Sequence, residues 1–405
     1  MITKKRNLRT GRSLWEVHKT PKLKFGRHPK LDFYDVVIIG CGVSGALVAE
    51  QLSQLDLRIL AIDRRVPASG STSASTALIQ WEIDQPLIEL AKKKGWKHAS
   101  AAYVASAKAV KSLRKRIVAL KLSCEIVDRD TLLIAGTEMG RNDLAKEVRQ
   151  RQKLRLPSVL LDHAELLKKY GFDREAAIES RGSLELNPRQ LALGMLDHAM
   201  RRGVEVVTPI NVVGLDASKA GVFLTLDDGT VIAARKVIVA SGYEALPELP
   251  SPKYDLISTW ALATVKQRPD QLWPRKALVW EASDPYLYFR TTSDNRIIVG
   301  GEDATFSNPQ LRDSLISTKS KRILGKFGKL WPHATLEADY EWAGTFADSP
   351  TGLPMIGEVP ALPNVFAVLG SGGNGITFSA VASDLAKSWV QGKAHRLAPV
   401  FAIMA

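Results

Sequence analysis

The apolar positions fall into a strand, helix, strand succession that begins at Tyr34. "YDVVIIG" is a continuous apolar run ending in glycine, the pattern of a parallel strand buried on both faces. "VSGALVAEQLSQL" follows with Val43, Leu47, Leu52 and Leu55 at helical spacing, and "LRILAID" is a second strand ending in an acid. Together they predict a β-α-β unit. A small, polar stretch from Ala68 to Thr76 ("ASGSTSAST") interrupts the pattern, and helical segments are expected around Pro86–Lys94 and Ser100–Leu122. Residues 124–136 read as a strand pair. "NPRQLALGMLDHAMRRGVEVV" predicts a helix with Leu191, Met195 and Met200 broadly on one side, stopped by Gly203. Two hairpins are expected, turning at Asp227-Asp228-Gly229 and at Ser293-Asp294-Asn295. Near the C-terminus, "VLGSGGNGITFSAVASDLAKSW" predicts a strand (Val365 to Leu369), a glycine turn and a helix beginning near Ile376.

Composition changes this picture only at the N-terminus. The 405 residues suit two domains, and 45% hydrophobic with 24% charged residues describes an ordinary globular protein. Of the net charge of +14, nine come from residues 1–30, where ten Lys and Arg face Glu16 alone. Such an arm has the chemistry to bind nucleic acid or an anionic membrane surface. The alternatives are a solvated extension, or one that wraps an anionic patch of its own domain. It lacks the apolar stretch of a signal peptide, and the longest apolar run, "VVIIGCGVSGALVA", is too short and glycine-broken to span a membrane. Two cysteines, Cys41 and Cys124, make no disulfide framework, so a cytoplasmic location is expected.

The chemistry starts at Gly40-Cys41-Gly42-Val43-Ser44-Gly45, a G-x-G-x-x-G run between strand and helix. Gly40 permits the tight turn, Gly42 lets a pyrophosphate approach the backbone, and Gly45 lets helix and strand pack closely. The helix N-terminus offers free N–H groups to phosphates. Asp63, 23 residues after Gly40 and followed by Arg64, has the position of an acid that accepts both ribose hydroxyls. Later features favour FAD over NAD. Ser71, Thr72, Ser73 and Thr76 offer hydroxyls at the height of a second phosphate. "VVTPINVVGL", containing Val212, reads as an adenine-flanking strand, and "VIVASGYEA", containing Ala240, Ser241 and Gly242, as a closing strand. Gly370, Gly372, Gly373, Asn374, Gly375 and Ile376 bring a helix N-terminus to one point, which suits the negative charge of a reduced flavin.

With these motifs in this order, the chain from Tyr34 onward resembles the flavin-dependent amine and amino-acid oxidases of the D-amino-acid oxidase, glycine oxidase and sarcosine oxidase group. The resemblance implies an α/β fold with a Rossmann-type FAD domain assembled from separated segments, plus an α+β substrate domain with a mixed, mainly antiparallel sheet. The expected division is an arm over 1–32, an FAD domain over 33–95, 183–245 and 338–405, and a substrate domain over 96–182 and 246–337. It also implies hydride transfer from a C–H next to nitrogen onto flavin N5, with O2 or another electron acceptor completing the cycle. Sarcosine oxidase relatives tether their flavin through a Cys in the region matching "TFADSPTG"; this chain has no Cys after Cys124, so its FAD is expected to be non-covalent. Glycine oxidase relatives carry G-I-R-P where this chain reads Gly344-Thr345-Phe346-Ala347, and their Arg clamps the substrate carboxylate. Phe346 at that place is more like the γ-glutamylputrescine oxidase-like relatives, and directs the expectation to an amine or an N-substituted amino acid.

Two alternatives stay open at this stage. Tyr286, Tyr288 and Arg290 share one strand face by period-2 alternation, so Arg290 is the candidate carboxylate clamp of a D-amino-acid or glycine oxidase-like enzyme. Trp280, Glu281, Gln80, Trp81 and Glu82 are further candidates for the same pocket. The other alternative is a flavoprotein that binds nucleic acid or a partner through its basic arm. No metal site is expected.

Overall fold

A computed structural model describes residues 6–244, 254–349 and 351–403. At its centre lies the strand Phe33–Ile39, with Ile59–Ile62 parallel on one side and Val231–Gly242 parallel on the other. Glu205–Val207 and Val365–Leu369 extend the parallel set outward, and Met355–Glu358 closes one edge antiparallel. Both faces of this smaller sheet are covered, which is why the central strand is apolar at successive positions. Val36 and Ile38 pack beneath the helices Val43–Leu52, Pro188–Arg201 and Gly375–Val390. Val37 and Ile39 pack against the hairpin of Val212–Ser218 and Gly221–Leu226. The turn at Asp227-Asp228-Gly229 forms as expected: Gly229 takes φ +87°, and the Thr230 N–H donates to Asp228 Oδ1 at 2.9 Å.

Among the described residues, the larger sheet has ten strands. Its antiparallel centre runs from Ala338–Asp348 through Asp255–Thr264, Ile297–Ala304 and Leu287–Thr291 to Leu278–Glu281. One face is packed by the helix Ile316–Leu330 through Ile323 and Phe327, in a core that includes Trp260, Trp273 and Phe289. Residues 124–136, expected as a strand pair, contain the single strand Val127–Ile134. No turn forms inside it, because its partners are Ala176–Glu185 and Leu278–Glu281, distant in sequence.

Two expected divisions are displaced. Ala338–Asp348, placed with the cofactor segments, hydrogen-bonds instead within the larger sheet, as does Leu78–Ile79. The basic arm is built into the fold. Arg9–Gly11 pairs with Trp342–Gly344, Leu14 and Trp15 are buried, and Gly26 bridges to Val207. Apolar side chains between the arm's charges supply the burial that anchors it. The expected boundary between residues 245 and 246, and Lys4 and Lys5 of the arm, lie outside the described residues. Among the described residues, no helix is long and apolar enough to cross a membrane.

Candidate active site

One cleft runs between the two sheets and is lined from both. Its dinucleotide end is built by the turn after the central strand. Gly40 takes φ +108°, and a Cβ there would lie 2.5 Å from the Ala240 carbonyl oxygen. Gly42 caps the helix Val43–Leu52 without a side-chain bond of its own and lines the cleft with Val43 and Ser44. The Val43 N–H donates to Thr72 Oγ1 at 3.0 Å, which fixes the Ser71–Ala74 turn against this helix. Asp63 ends the neighbouring strand. Its Oδ2 accepts from the Cys41 N–H at 2.6 Å and its Oδ1 from the Arg65 N–H at 2.8 Å. Burial raises the Asp63 carboxyl above its ordinary pKa, and these two N–H bonds pull the other way. Arg64 and Arg65 both pair with buried Glu244, at 3.3 and 2.7 Å.

At the other end, the helix Gly375–Val390 presents its N-terminus. Its N-cap, Asn374, makes no capping bond, because its side chain donates to the Glu82 carbonyl at 2.8 Å and accepts from the Asp84 N–H at 3.2 Å. Ser44 and Ser379 hydroxyls meet at 2.7 Å and tie the two helix N-termini together. Facing this end from the larger sheet are Thr259, Trp280, Tyr286, Tyr288 and Phe346, with Tyr243 and Asp84 from the other side. The Tyr286 hydroxyl donates to Asp303 Oδ2 at 2.8 Å, and the Tyr288 hydroxyl lies 3.3 Å from Thr259 Oγ1. Burial, then neighbouring carboxylates, push both phenols well above their ordinary pKa, so both are neutral and able to donate.

Most of the residues anticipated from sequence line this cleft: Gly40, Gly42, Val43, Ser44, Asp63, Arg64, Ser71, Thr72, Thr76 and Val212 do so at the dinucleotide end. Ala240, Ser241, Gly242, Gly344, Gly372, Gly373, Asn374, Gly375 and Ile376 also line it, as do Tyr286, Tyr288 and Phe346. Others do not. Gly45 sits behind the turn, where a Cβ would lie 1.8 Å from the Gly40 carbonyl oxygen. The Ser73 hydroxyl turns inward to the Ala68 carbonyl at 2.6 Å. Gly370 packs under the Tyr254 ring.

Arg290 is the main correction. It is only 2% exposed and lies outside the lining, with Nε on the Thr76 carbonyl at 2.7 Å and its two terminal nitrogens on the Thr291 and Leu186 carbonyls at 2.9 and 3.0 Å. Glu185 is 3.7 Å away and the Trp15 ring stacks at 5.3 Å. The Ser71–Ala77 stretch and the chain around Leu186 cover it, which strand alternation does not reveal. Of the other candidates, Gln80 and Trp280 line the cleft. Trp81 donates to the Arg181 carbonyl, Glu82 bonds Thr131, and Glu281 pairs with Arg174. The unanticipated lining residues include Leu8, Tyr243, Asp84 and Thr259. Tyr243 lies within the quoted run "VIVASGYEA" and Asp84 two residues after the candidate Glu82, a signal that was available; Leu8 and Thr259 arrive by sheet pairing.

FAD fits this cleft on three observations: a glycine turn with no room behind it, two helix N-termini whose N-cap residues, Gly42 and Asn374, make no side-chain capping bond, and buried polar atoms that lack protein partners. Ser71 Oγ, Gln80 Oε1 and Trp280 Nε1 are such atoms on lining residues. Fold and site together define a flavin-dependent oxidoreductase of the two-sheet type.

A family model described as FAD dependent oxidoreductase matches residues 35–389. The chain therefore belongs to this family of FAD-dependent enzymes. It is 24% identical to glycine oxidase of Geobacillus kaustophilus (strain HTA426) over 383 residues, covering 90% of this chain and 96% of that protein. The crystal structure of glycine oxidase from Geobacillus kaustophilus matches with a TM-score of 0.72 at 22% identity, over 92% of this chain and 99% of that one. L-amino acid deaminase from Proteus myxofaciens matches with a TM-score of 0.77 at 12% identity, over 98% of both chains. A shorter match, 22% identical over 185 residues, is to the putative Rieske 2Fe-2S iron-sulfur protein YhfW of Bacillus subtilis (strain 168). It takes in 46% of this chain and 35% of that protein.

Proposed function

We propose that the enzyme oxidises the C–N bond of an amine that lacks an adjacent carboxylate. The observation that carries this reading is the substrate end of the cleft: phenols, an indole and Phe346 face the Gly375–Val390 helix, and the Asp84 carboxylate rests on the turn before that helix. Among the described residues, the lining arginines are Arg64 and Arg65, which follow Asp63 at the dinucleotide end and pair with Glu244. Arg290, the candidate clamp, is occupied by backbone carbonyls. A carboxylate placed at this end would meet aromatic rings, with no guanidinium beside them among the described lining residues.

When bound, FAD supplies the hydride acceptor, flavin N5. The chain's own residues do the rest. The aromatic wall excludes water, which favours the neutral amine over the ammonium and frees the nitrogen lone pair. Tyr286 and Tyr288, held by Asp303 and Thr259, keep the substrate carbon in one orientation. Loss of hydride from carbon and of a proton from nitrogen leaves an imine, which water hydrolyses to a carbonyl compound and the released amine. Cys41 and Cys124 are buried and outside the cleft lining, which supports a non-covalent cofactor.

The test is an anaerobic screen of amines and α-amino acids for bleaching of the bound flavin. Amines should bleach it, and the corresponding α-amino acids should not. Equal bleaching by an amino acid and its decarboxylated amine would refute the reading. Acid precipitation should release FAD into the supernatant.

A further inference from the structure

The basic arm supplies part of the cleft wall. Four of its residues in succession are anchored there. Arg6 is gripped through its backbone: its N–H donates to Glu244 Oε1 at 2.7 Å, and its carbonyl accepts from Arg65 Nη2 at 2.8 Å. The Asn7 carbonyl accepts from Nη1 of buried Arg312 at 2.8 Å, and the Leu8 carbonyl accepts from the Thr345 N–H at 2.9 Å. Arg9 Nε donates to the Ser69 carbonyl at 2.8 Å, and Arg9–Gly11 then pairs with Trp342–Gly344 of the larger sheet. Arg65, Ser69, Glu244 and Thr345 all line the cleft, so the arm ties together parts of its wall that are far apart in sequence.

Leu8 is the side chain that these bonds aim. It is 7% exposed, lines the cleft, and lies 3.8 Å from where a Cβ on Gly70 would be, beside the Ser71–Ala74 turn. From Arg6 to Arg12 it is the only hydrophobic residue. The next part of the arm is held differently. Leu14 and Trp15 are buried in the core, Trp15 Nε1 donates to the Ser75 carbonyl at 2.7 Å, and Gly26 bridges to Val207 of the smaller sheet. Lifting residues 6–11 would uncover one leucine, whereas lifting residues 14 and 15 would open the core. Segments with few buried apolar contacts are the ones that open locally.

Both cysteines lie outside the cleft lining, so neither thiol is placed to tether FAD. The family match begins at residue 35, so the arm is an addition to the shared fold. We infer that residues 6–11 form a strap that closes over bound FAD, with Leu8 as its contact, and sets how slowly the cofactor is released. The inference does not depend on which substrate is oxidised. Strap docking and FAD binding are then coupled, and such coupling is reciprocal: FAD holds the strap down as strongly as the strap holds FAD.

Three measurements test this. FAD release is timed by the change in flavin fluorescence after the loaded protein is diluted. Deleting residues 1–11, which keeps Leu14 and Trp15, should speed release at least about tenfold without slowing FAD association. Unchanged release would overturn the strap, and so would faster release joined to slower association, the mark of a damaged cleft. Leu8→Ala keeps every backbone bond of the strap and should speed release at least about fourfold, the equivalent of one buried methylene. Unchanged release in Leu8→Ala would overturn the inference even if the deletion does not fold. The third measurement needs no variant. FAD should slow hydrogen exchange at the Arg6 and Thr345 amides, which donate to Glu244 and to Leu8, at least about tenfold more than at Gly26, whose N–H donates to Val206. Equal slowing at all three amides would overturn it.

Discussion

Alanine at Gly42 and alanine at Gly45 add the same methyl group to the same turn, yet the structure assigns them different consequences. At Gly42, φ is −73° and ψ −169°, a backbone open to any residue, and the new Cβ would meet only Thr72 Oγ1 at 3.2 Å. The hydroxyl must yield by a few tenths of an ångström, and an alanine N-cap costs below about 1 kcal/mol relative to glycine. The methyl would, however, occupy the cleft where a pyrophosphate must approach the backbone. At Gly45 the methyl would point away from the cleft and lie 1.8 Å from the Gly40 carbonyl oxygen. A relaxed carbon–oxygen contact is about 3.3 Å, so turn and helix must separate by about 1.5 Å in a packed interior. Overpacking of that kind costs about 3 kcal/mol or more. The assay is thermal melting of the apoprotein followed by titration with FAD. Gly42→Ala should melt close to wild type but bind FAD at least about 100-fold more weakly, which removes about 2.7 kcal/mol of ligand stabilisation. Gly45→Ala should lose apoprotein stability as well. Wild-type FAD affinity in Gly42→Ala, or a wild-type apoprotein melt in Gly45→Ala, would refute the reasoning.

Other outcomes follow from the same geometry. Arg290→Met leaves three carbonyls without their buried donor, while Glu185 keeps Arg129 at 2.8 Å, and should destabilise the fold by about 3 kcal/mol or more, with no change in the preference between amines and amino acids. A selective loss on carboxylate substrates would restore the clamp. Phe346→Arg places a guanidinium in the lining and should raise flavin bleaching by α-amino acids relative to amines; an unchanged ratio would show that this side chain does not face the substrate. Hydrogen bonds from His18 first, then Ser293 and Asn187, bring the Glu125 carboxyl from its ordinary 4.5 down to about 2. Because the folded value lies below the unfolded one, its stabilisation is complete above about pH 4.5 and is lost as pH falls toward 2. Glu125→Gln should therefore flatten that part of the acid-unfolding profile, and an unaltered acid limb would contradict the assignment.

The chain alone determined those features whose cause is local. The apolar run ending at Gly40, the glycine spacing after it, Asp63 at the next strand end, the Asp227-Asp228-Gly229 turn and the helix after Gly375 are each specified by neighbouring residues. Burial on both faces, glycine backbone and turn chemistry act within a few positions. Phe346 likewise stands in the cleft lining, as its place in the sequence suggested.

Tertiary structure decided what depends on distant partners. Alternation put Arg290 on one face with the tyrosines, but the carbonyls of Thr76 and Leu186, 214 and 104 residues away, closed it off from the cleft. The basic arm looked separable until Leu14 and Trp15 were buried and Arg9–Gly11 found an edge strand over 300 residues onward. Asp84 acquired its surroundings from a turn 289 residues later. Periodicity shows which way a side chain leaves the backbone; what waits there, a cleft, a carbonyl or a carboxylate, is set by chain pairing that no local pattern encodes.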